Sequence, residues 1–205
     1  MSKLAELFEV AVLVGAALDR AEVRWALGGG LAVTLHGAPR EADAVEVVCE
    51  LGAASVESVL RELDGAFFVE RKAVVAAALD RSMFEVLHPP TMSRVIVTLV
   101  RDDALSASQI QRRVFFRAYA RDDIFPVLSA EDVVVQALAL HRRTRGTAPL
   151  AWRDAVGALA ACAKTLDRTW LLAQARRGRL QKLLDRAWKE AASSSGRGGA
   201  AAPAV

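Results

Sequence analysis

The chain has 205 residues, 53% of them hydrophobic and 25% charged, which is enough apolar material for one or two globular domains and excludes an intrinsically disordered chain. Its 27 Lys and Arg exceed its 24 Asp and Glu by a formal charge of only +3, and such a mixture of signs is a poor electrostatic footprint for nucleic acid. The two cysteines, Cys49 and Cys162, lie far apart without CxxC spacing, so neither a disulfide framework nor a zinc site is expected, and a reducing cytoplasm is the expected compartment.

In chain order, apolar residues at Leu4, Leu7, Phe8, Ala11, Val14 and Leu18 follow helical spacing and predict an amphipathic first helix packed on a core. The apolar run at 10–18 is too short to span a bilayer, and Glu6 and Glu9 stand where a signal peptide carries positive charge. Neither a membrane segment nor a leader is expected. Residues 23–27 read as a short strand, Gly28, Gly29 and Gly30 as a sharp turn, and 31–36 as a short helix stopped by Gly37 and Pro39. Residues 44–51 read as a strand, 55–63 as a helix with Ser55 as N-cap, and 67–71 as another strand. Extended runs at 82–88 and 94–100 flank Pro89 and Pro90, the layout of a hairpin added to a mixed sheet. Beyond Asp102 the pattern changes, and 129–190 reads as helical, with caps at Ser129 and Asp167 and a loop at 144–149. Residues 191–205 are Ala, Ser, Gly and Pro with one Arg, too poor in apolar surface to offset ordering entropy, and are expected to be disordered. The expected fold is α+β, with a mixed sheet and flanking helices over 1–125, a helical bundle over 126–190 and a tail over 191–205.

The most informative segment is WALGGGLAVTLHGAPREADAVEVVC, residues 25–49, in which a strand runs into a glycine turn, a short helix, a second turn and another strand. A helix opening on glycines offers free backbone N–H groups and a partial positive charge to an anion such as a triphosphate. Gly29-Gly30-Leu31-Ala32, His36-Gly37-Ala38-Pro39-Arg40 and Ala44-Val45-Glu46-Val47, together with 84–89, 129–133, 152–156 and 166–171, occur in an order and spacing that resemble a known family. That family is the small nucleotidyltransferases of the DNA polymerase beta superfamily, especially the bacterial AbiEii-like and minimal nucleotidyltransferase proteins.

The resemblance implies a nucleotidyltransferase-like fold, with Gly28, Gly29, Gly30, His36 and Arg40 as nucleotide-binding residues. It also implies two carboxylates one residue apart on a strand, with a third on a neighbouring strand, holding two divalent metals on the nucleotide phosphates. This sequence has Ala44, Glu46 and Ile96 at those positions, so one ligand of three remains. Asp43 is displaced by one residue, and on a regular strand it faces away from Glu46 unless a bulge intervenes. Glu85, on the strand before Ile96, is the other candidate metal partner, against its simpler reading as an exposed strand carboxylate. A Lys that the family often carries one turn after its Glu-Asp pair is replaced by Gln136-Ala137. Glu131 and Asp132 fit helix capping as well as function, and His36 fits a packed imidazole as well as a nucleotide contact. His88 and His141 have no partners at metal-ligand spacing, and the cluster Arg142, Arg143 and Arg145 fits a solvated helix end.

The expected function is that of a catalytically degenerate nucleotidyltransferase-fold protein acting by nucleotide or partner binding, in a toxin–antitoxin or defence setting. The alternatives are an active enzyme, using Mg2+ and a nucleoside triphosphate with Glu46 plus Asp43 or Glu85, that transfers a nucleotide to RNA or protein, and an interaction module that binds no nucleotide. Partners on these readings are a nucleotide, a protein or an RNA, with no membrane; the oligomeric state is left open.

Overall fold

The computed structural model describes residues 2–38, 40–101, 103, 106, 108–117 and 123–195. Pro39, Asp102 and residues 196–205, on which expectations above fall, lie outside the described residues. By its internal contacts the chain divides into two compact units, one comprising Met1–Leu35 with Arg40–Ser129 and the other His36–Pro39 with Ala130–Val205.

The first unit is built on a seven-stranded mixed sheet. Helix α1 (Lys3–Arg20) opens with the Ser2 side chain accepting from the Ala5 amide, and buries Leu7, Val10, Ala11, Val14 and Leu18 along one stripe. Strand β1 (Trp25–Leu27) leads through Gly28 into α2 (Gly29–Leu35), and β2 (Ala44–Cys49) returns antiparallel to β1, with Leu27 opposite Val47. A 3₁₀ turn at Ala53–Ser55 precedes α3 (Val56–Leu63), followed by β3 (Phe68–Val69), α4 (Arg71–Asp80), and the hairpin of β4 (Met83–His88) and β5 (Ser93–Leu99). Two short antiparallel strands, β6 (Val114–Arg117) and β7 (Ile124–Val127), complete the order β3-β4-β5-β2-β1-β7-β6. β2 runs parallel to β5 and β1 parallel to β7; the other pairs are antiparallel.

The pleat separates two chemistries. Val45, Val47 and Cys49 of β2, Val95, Val97 and Leu99 of β5, and Phe84 and Val86 of β4 alternate along their strands and are all buried, supplying the apolar face expected of a sheet covered on one side. The residues between them on β4 and β5 (Met83, Glu85, Arg94, Ile96, Thr98) are half-buried or exposed. That second face carries the candidate site.

The second unit contains α5 (Ala130–Arg143), α6 (Pro149–Ala161), α7 (Arg168–Arg177) and α8 (Gln181–Ser195). Trp152 anchors it: the indole N–H donates to Glu190 at 2.9 Å, His141 packs on the ring at a centroid distance of 4.9 Å, and the Arg186 guanidinium lies 4.4 Å from its centroid. Asp167 caps α7 by accepting from the Trp170 amide at 2.9 Å, as expected.

Three local expectations are corrected. Ser55 lies in the α region at the end of the 3₁₀ turn and makes no side-chain cap bond, because the turn already hands the chain into α3. The run at 67–71 pairs only at Phe68 and Val69, and Arg71 opens α4 instead, whose weak amphipathicity hides its period. The helical region also extends past 190, because α8 continues through Ser195.

Candidate functional site

The antiparallel pairing of β1 with β2 sets the glycine turn directly over Glu46. The Gly28 amide donates to the Glu46 carbonyl at 2.9 Å, and Gly29 takes a left-handed backbone, φ 51°. A Cβ placed on Gly29 would collide with the Glu46 carboxylate. The positive φ is what calls for glycine at 29, and a side chain there would in addition displace the Glu46 carboxylate. On the next residue, a Cβ on Gly30 would stand 3.0 Å from the Ala42 Cβ and 3.4 Å from Arg40 Cζ. One carboxylate and one guanidinium thus flank the turn. The Thr34 hydroxyl, donating to the Gly30 carbonyl at 2.9 Å and lying 3.2 Å from that of Arg40, ties α2 to the strand-entry loop.

Across the sheet, register pairs share a face. Glu46 is opposite Ile96, and Ile96 is opposite Glu85, so the three form one row over β2, β5 and β4. Ala44 is opposite Arg94 in the adjacent row. Glu46 and Glu85 are two strands apart, about 10 Å between backbones. The Glu85 carboxylate instead lies 3.7 Å from the Arg94 guanidinium, both side chains about half exposed. Ile96 is half-buried and Ala44 is 3% exposed. Asp43 stands in a bend ahead of β2, exposed, and the β2–β5 register runs unbroken from Ala44 to Cys49, without a bulge to re-aim it.

The structure therefore brings together Gly28, Gly29, Gly30, Arg40 and Glu46. It aligns Glu46 with Ile96 and Glu85 and leaves Asp43 outside the ladder. His36 falls in the second compact unit, where its carbonyl accepts a long contact from Cys162 Sγ at 3.6 Å. Sequence reasoning missed that Glu46 sits against Gly29 and Arg40 against Gly30. Pairing β1 antiparallel to β2 would have found the first, because it sets the residue after Leu27 beside Glu46.

The donor set does not fit the two-metal centre that the sequence resemblance implies. A two-metal site needs carboxylates converging on shared ions, whereas here Glu46 has an isoleucine beside it and the nearest aligned carboxylate engages an arginine. Among the described residues no three His, Cys, Asp or Glu side chains are grouped to hold a metal ion.

No protein-family profile and no curated protein matches the sequence. Among the solved structures similar to this chain are two that cover most of it. One is an antigenic nucleotidyltransferase-like protein from Paracoccidioides brasiliensis, 15% identical, with a TM-score of 0.51 over 88% of this chain and 91% of that one. The other is the antibiotic-resistance factor ANT(2'')-Ia, 17% identical, with a TM-score of 0.53 over 87% and 95%. The chain has a nucleotidyltransferase-like fold. In this nucleotidyltransferase-like fold the paired acids of α5, Glu131 and Asp132, are buried, and a Glu131 oxygen accepts from the Asp167 amide at 2.7 Å, fixing the start of α7. Arg142, the first of the basic cluster, donates to the carbonyls of Gly178 and Arg179 beyond α7, which neutralises a helix end. His88 pairs with the Thr91 hydroxyl at 2.8 Å in the β4–β5 turn. Burial pushes the Cys49 thiol up to about 12, and burial with the nearby Glu131 carboxylate raises that of Cys162, so neither has the lowered pKa of a reactive thiolate. No helix among the described residues is long and apolar enough to cross a membrane.

Proposed function

We propose that this chain is a catalytically degenerate nucleotidyltransferase-fold protein, of the AbiEii-like or minimal type, that binds a nucleotide or a macromolecular partner without transferring a nucleotidyl group. The row Glu46, Ile96, Glu85 is the observation that carries this reading. A phosphoryl-transfer site must neutralise the triphosphate and align its oxygens, and one carboxylate in a row with an isoleucine supplies neither the charge nor the geometry for two metals.

What remains suits binding. The glycine turn lies beside Arg40, whose guanidinium can pair with a phosphate in a way that needs no metal. Glu46 opposes that attraction, because its carboxylate occupies the space over Gly29. Nucleotide affinity is therefore modest, independent of magnesium, and stronger once Glu46 loses its charge. A toxin–antitoxin or defence setting, in the cytoplasm, follows the sequence resemblance, with a protein or an RNA as the partner.

The test is a transfer assay. The full chain is incubated with α-labelled nucleoside triphosphates, Mg2+ or Mn2+, and pooled RNA and protein acceptors, beside a Glu46→Ala variant. Equal, background labelling is expected for both. Metal-dependent labelling that Glu46→Ala abolishes contradicts the proposal and makes the chain an enzyme.

A further inference from the structure

The overall charge of +3 conceals an uneven division between the two compact units. Residues 130–195 carry twelve Lys and Arg against six Asp and Glu, whereas residues 1–129 carry fourteen against eighteen. Burial widens the difference in the helical unit, where all twelve cations are exposed while Glu131, Asp132 and Asp154 are buried. Of the three exposed acids, Asp167 caps α7 and Glu190 accepts from Trp152. The third, Asp185, is flanked on α8 by Lys182 and Arg186.

The fold gathers half of these cations at one place. The Arg142 guanidinium donates to the carbonyls of Gly178 and Arg179, which fastens the end of α5 to the turn between α7 and α8. Arg143 and Arg145 follow on the α5 arm, and Arg176, Arg177 and Arg179 stand on the other, each within about one helical turn of that junction along the chain. No Asp or Glu occurs in 133–153 or in 168–184, so neither arm carries a compensating carboxylate. Among the described residues none of the six forms an ion pair, unlike Arg20, Arg24, Arg71 and Arg94 of the first unit. Helix ends account for only part of the clustering. The C-termini of α5 and α7 each offer about half a negative charge, so together they offset about one guanidinium of the six.

This excess charge selects an anion, and its spread over two arms suits several phosphates in series better than a single one. A lipid surface fits poorly, because the large apolar side chains exposed in this unit, Leu140, Leu150 and Leu172, are only 37%, 42% and 38% exposed and offer no wedge to a bilayer. An acidic peptide supplies carboxylates less regularly than a nucleic acid supplies phosphates, one to each nucleotide. No aromatic residue lies in 142–147 or 176–182 to stack a base, so contact falls on the backbone and is indifferent to sequence. We propose that the junction of α5 with the α7–α8 turn binds the phosphate backbone of a single-stranded RNA, with Arg143, Arg145, Arg176, Arg177 and Arg179 on the phosphates and Arg142 holding the two arms together. RNA is thereby the partner in the macromolecule-binding reading of the proposed function, whether or not the glycine turn takes a nucleotide.

The test titrates the full chain into a fluorescent RNA of mixed sequence, about 20 nucleotides long, read by anisotropy from about 50 to 300 mM salt. Unlabelled RNA, duplex DNA, poly-glutamate and phosphatidylserine vesicles serve as competitors. Micromolar binding is expected at low salt, with log K falling against log salt at a slope of about −3.5, the value for five phosphates of a single strand. Arg143→Gln combined with Arg177→Gln, both at exposed positions, should weaken RNA about tenfold and bring the slope to about −2, with the melting temperature and the ATP titration unchanged. Lys72→Gln, which removes an exposed cation of the first unit, should alter neither affinity nor slope. No saturable RNA binding below about 1 mM, an affinity and slope unchanged in the double variant, an equal loss in Lys72→Gln, or stronger competition by duplex DNA, poly-glutamate or vesicles than by RNA overturns the proposal. Loss of ATP binding with RNA binding intact counts against the glycine-turn site alone, and the reverse result counts against the arginine junction alone.

Discussion

Gly29 and Ile96 are the two residues on which the site turns. Gly29 combines a φ of 51° with a carboxylate in the place of its missing side chain. Gly29→Ala should therefore cost about 2 kcal/mol or more, part from the left-handed backbone and part from the collision with Glu46. The two parts separate in a double-mutant cycle read by urea denaturation: Glu46→Ala should recover about 1 kcal/mol of the loss, and strict additivity would show that the carboxylate does not fill that space. Ile96 is half-buried between Glu46 and Glu85. Ile96→Asp removes apolar contact and sets three carboxylates in one cross-strand row, which should cost about 1–2 kcal/mol without divalent metal, a fall of several degrees in melting temperature. Adding Mn2+ should restore part of it in the variant but leave the wild type unmoved. A melting temperature equal to wild type in EDTA would show that the row is not electrostatically coupled.

At the scale of elements, the helices on the first unit are tied by ion pairs whose pH dependence has a defined sign. The Arg20 side chain holds the Glu62 carboxyl below its usual 4.5 across α1 and α3, Arg71 does the same for Glu57 across α4 and α3, and Lys3 with Ser93 for Glu6. Because these folded-state values are lowered, the stabilisation is fully present above the unfolded value and is lost as pH falls through the folded one. Thermal melting should be flat from pH 7 to about 5 and fall below about 4.5, with a shallower fall in Glu62→Gln; an identical acid slope in that variant contradicts the assignment. Much of this element layer is legible in the sequence. The strand, glycine turn, helix and strand of 25–49 are marked by residues with local physical consequences, as are the Pro89-Pro90 hairpin and the Asp167 cap. The misses also have causes. α4, with Val74, Val75, Ala76, Ala77 and Ala78 in succession, lacks a clear stripe, although Val75 is exposed and Val74 buried. β6 and β7 are four residues each, and Pro126 lies within β7, where a proline argues against a strand. The Glu46–Gly29 contact depends on which strands pair, which no local pattern specifies.

For the molecule as a whole, the sheet's buried face reports global unfolding while its other face reports function. Cys49 is fully buried on the apolar face, with its thiol pushed up to about 12. Under native conditions it should resist an aromatic disulfide reagent and react only at the rate of global opening, well after the half-buried Cys162. Equal rates for the two thiols would place Cys49 in a locally mobile layer instead. On the opposite face, the three positions that the sequence resemblance assigns to metal ligands carry Ala44, Glu46 and Ile96, and the neighbouring Glu85 lies against Arg94. The central claim is that this face binds without metal-dependent chemistry, and calorimetric titration of ATP with and without Mg2+ into the wild type and Glu46→Ala tests it most directly. An affinity indifferent to Mg2+ and strengthened in Glu46→Ala is the predicted result. Binding that Mg2+ tightens tenfold or more and that Glu46→Ala abolishes would contradict it.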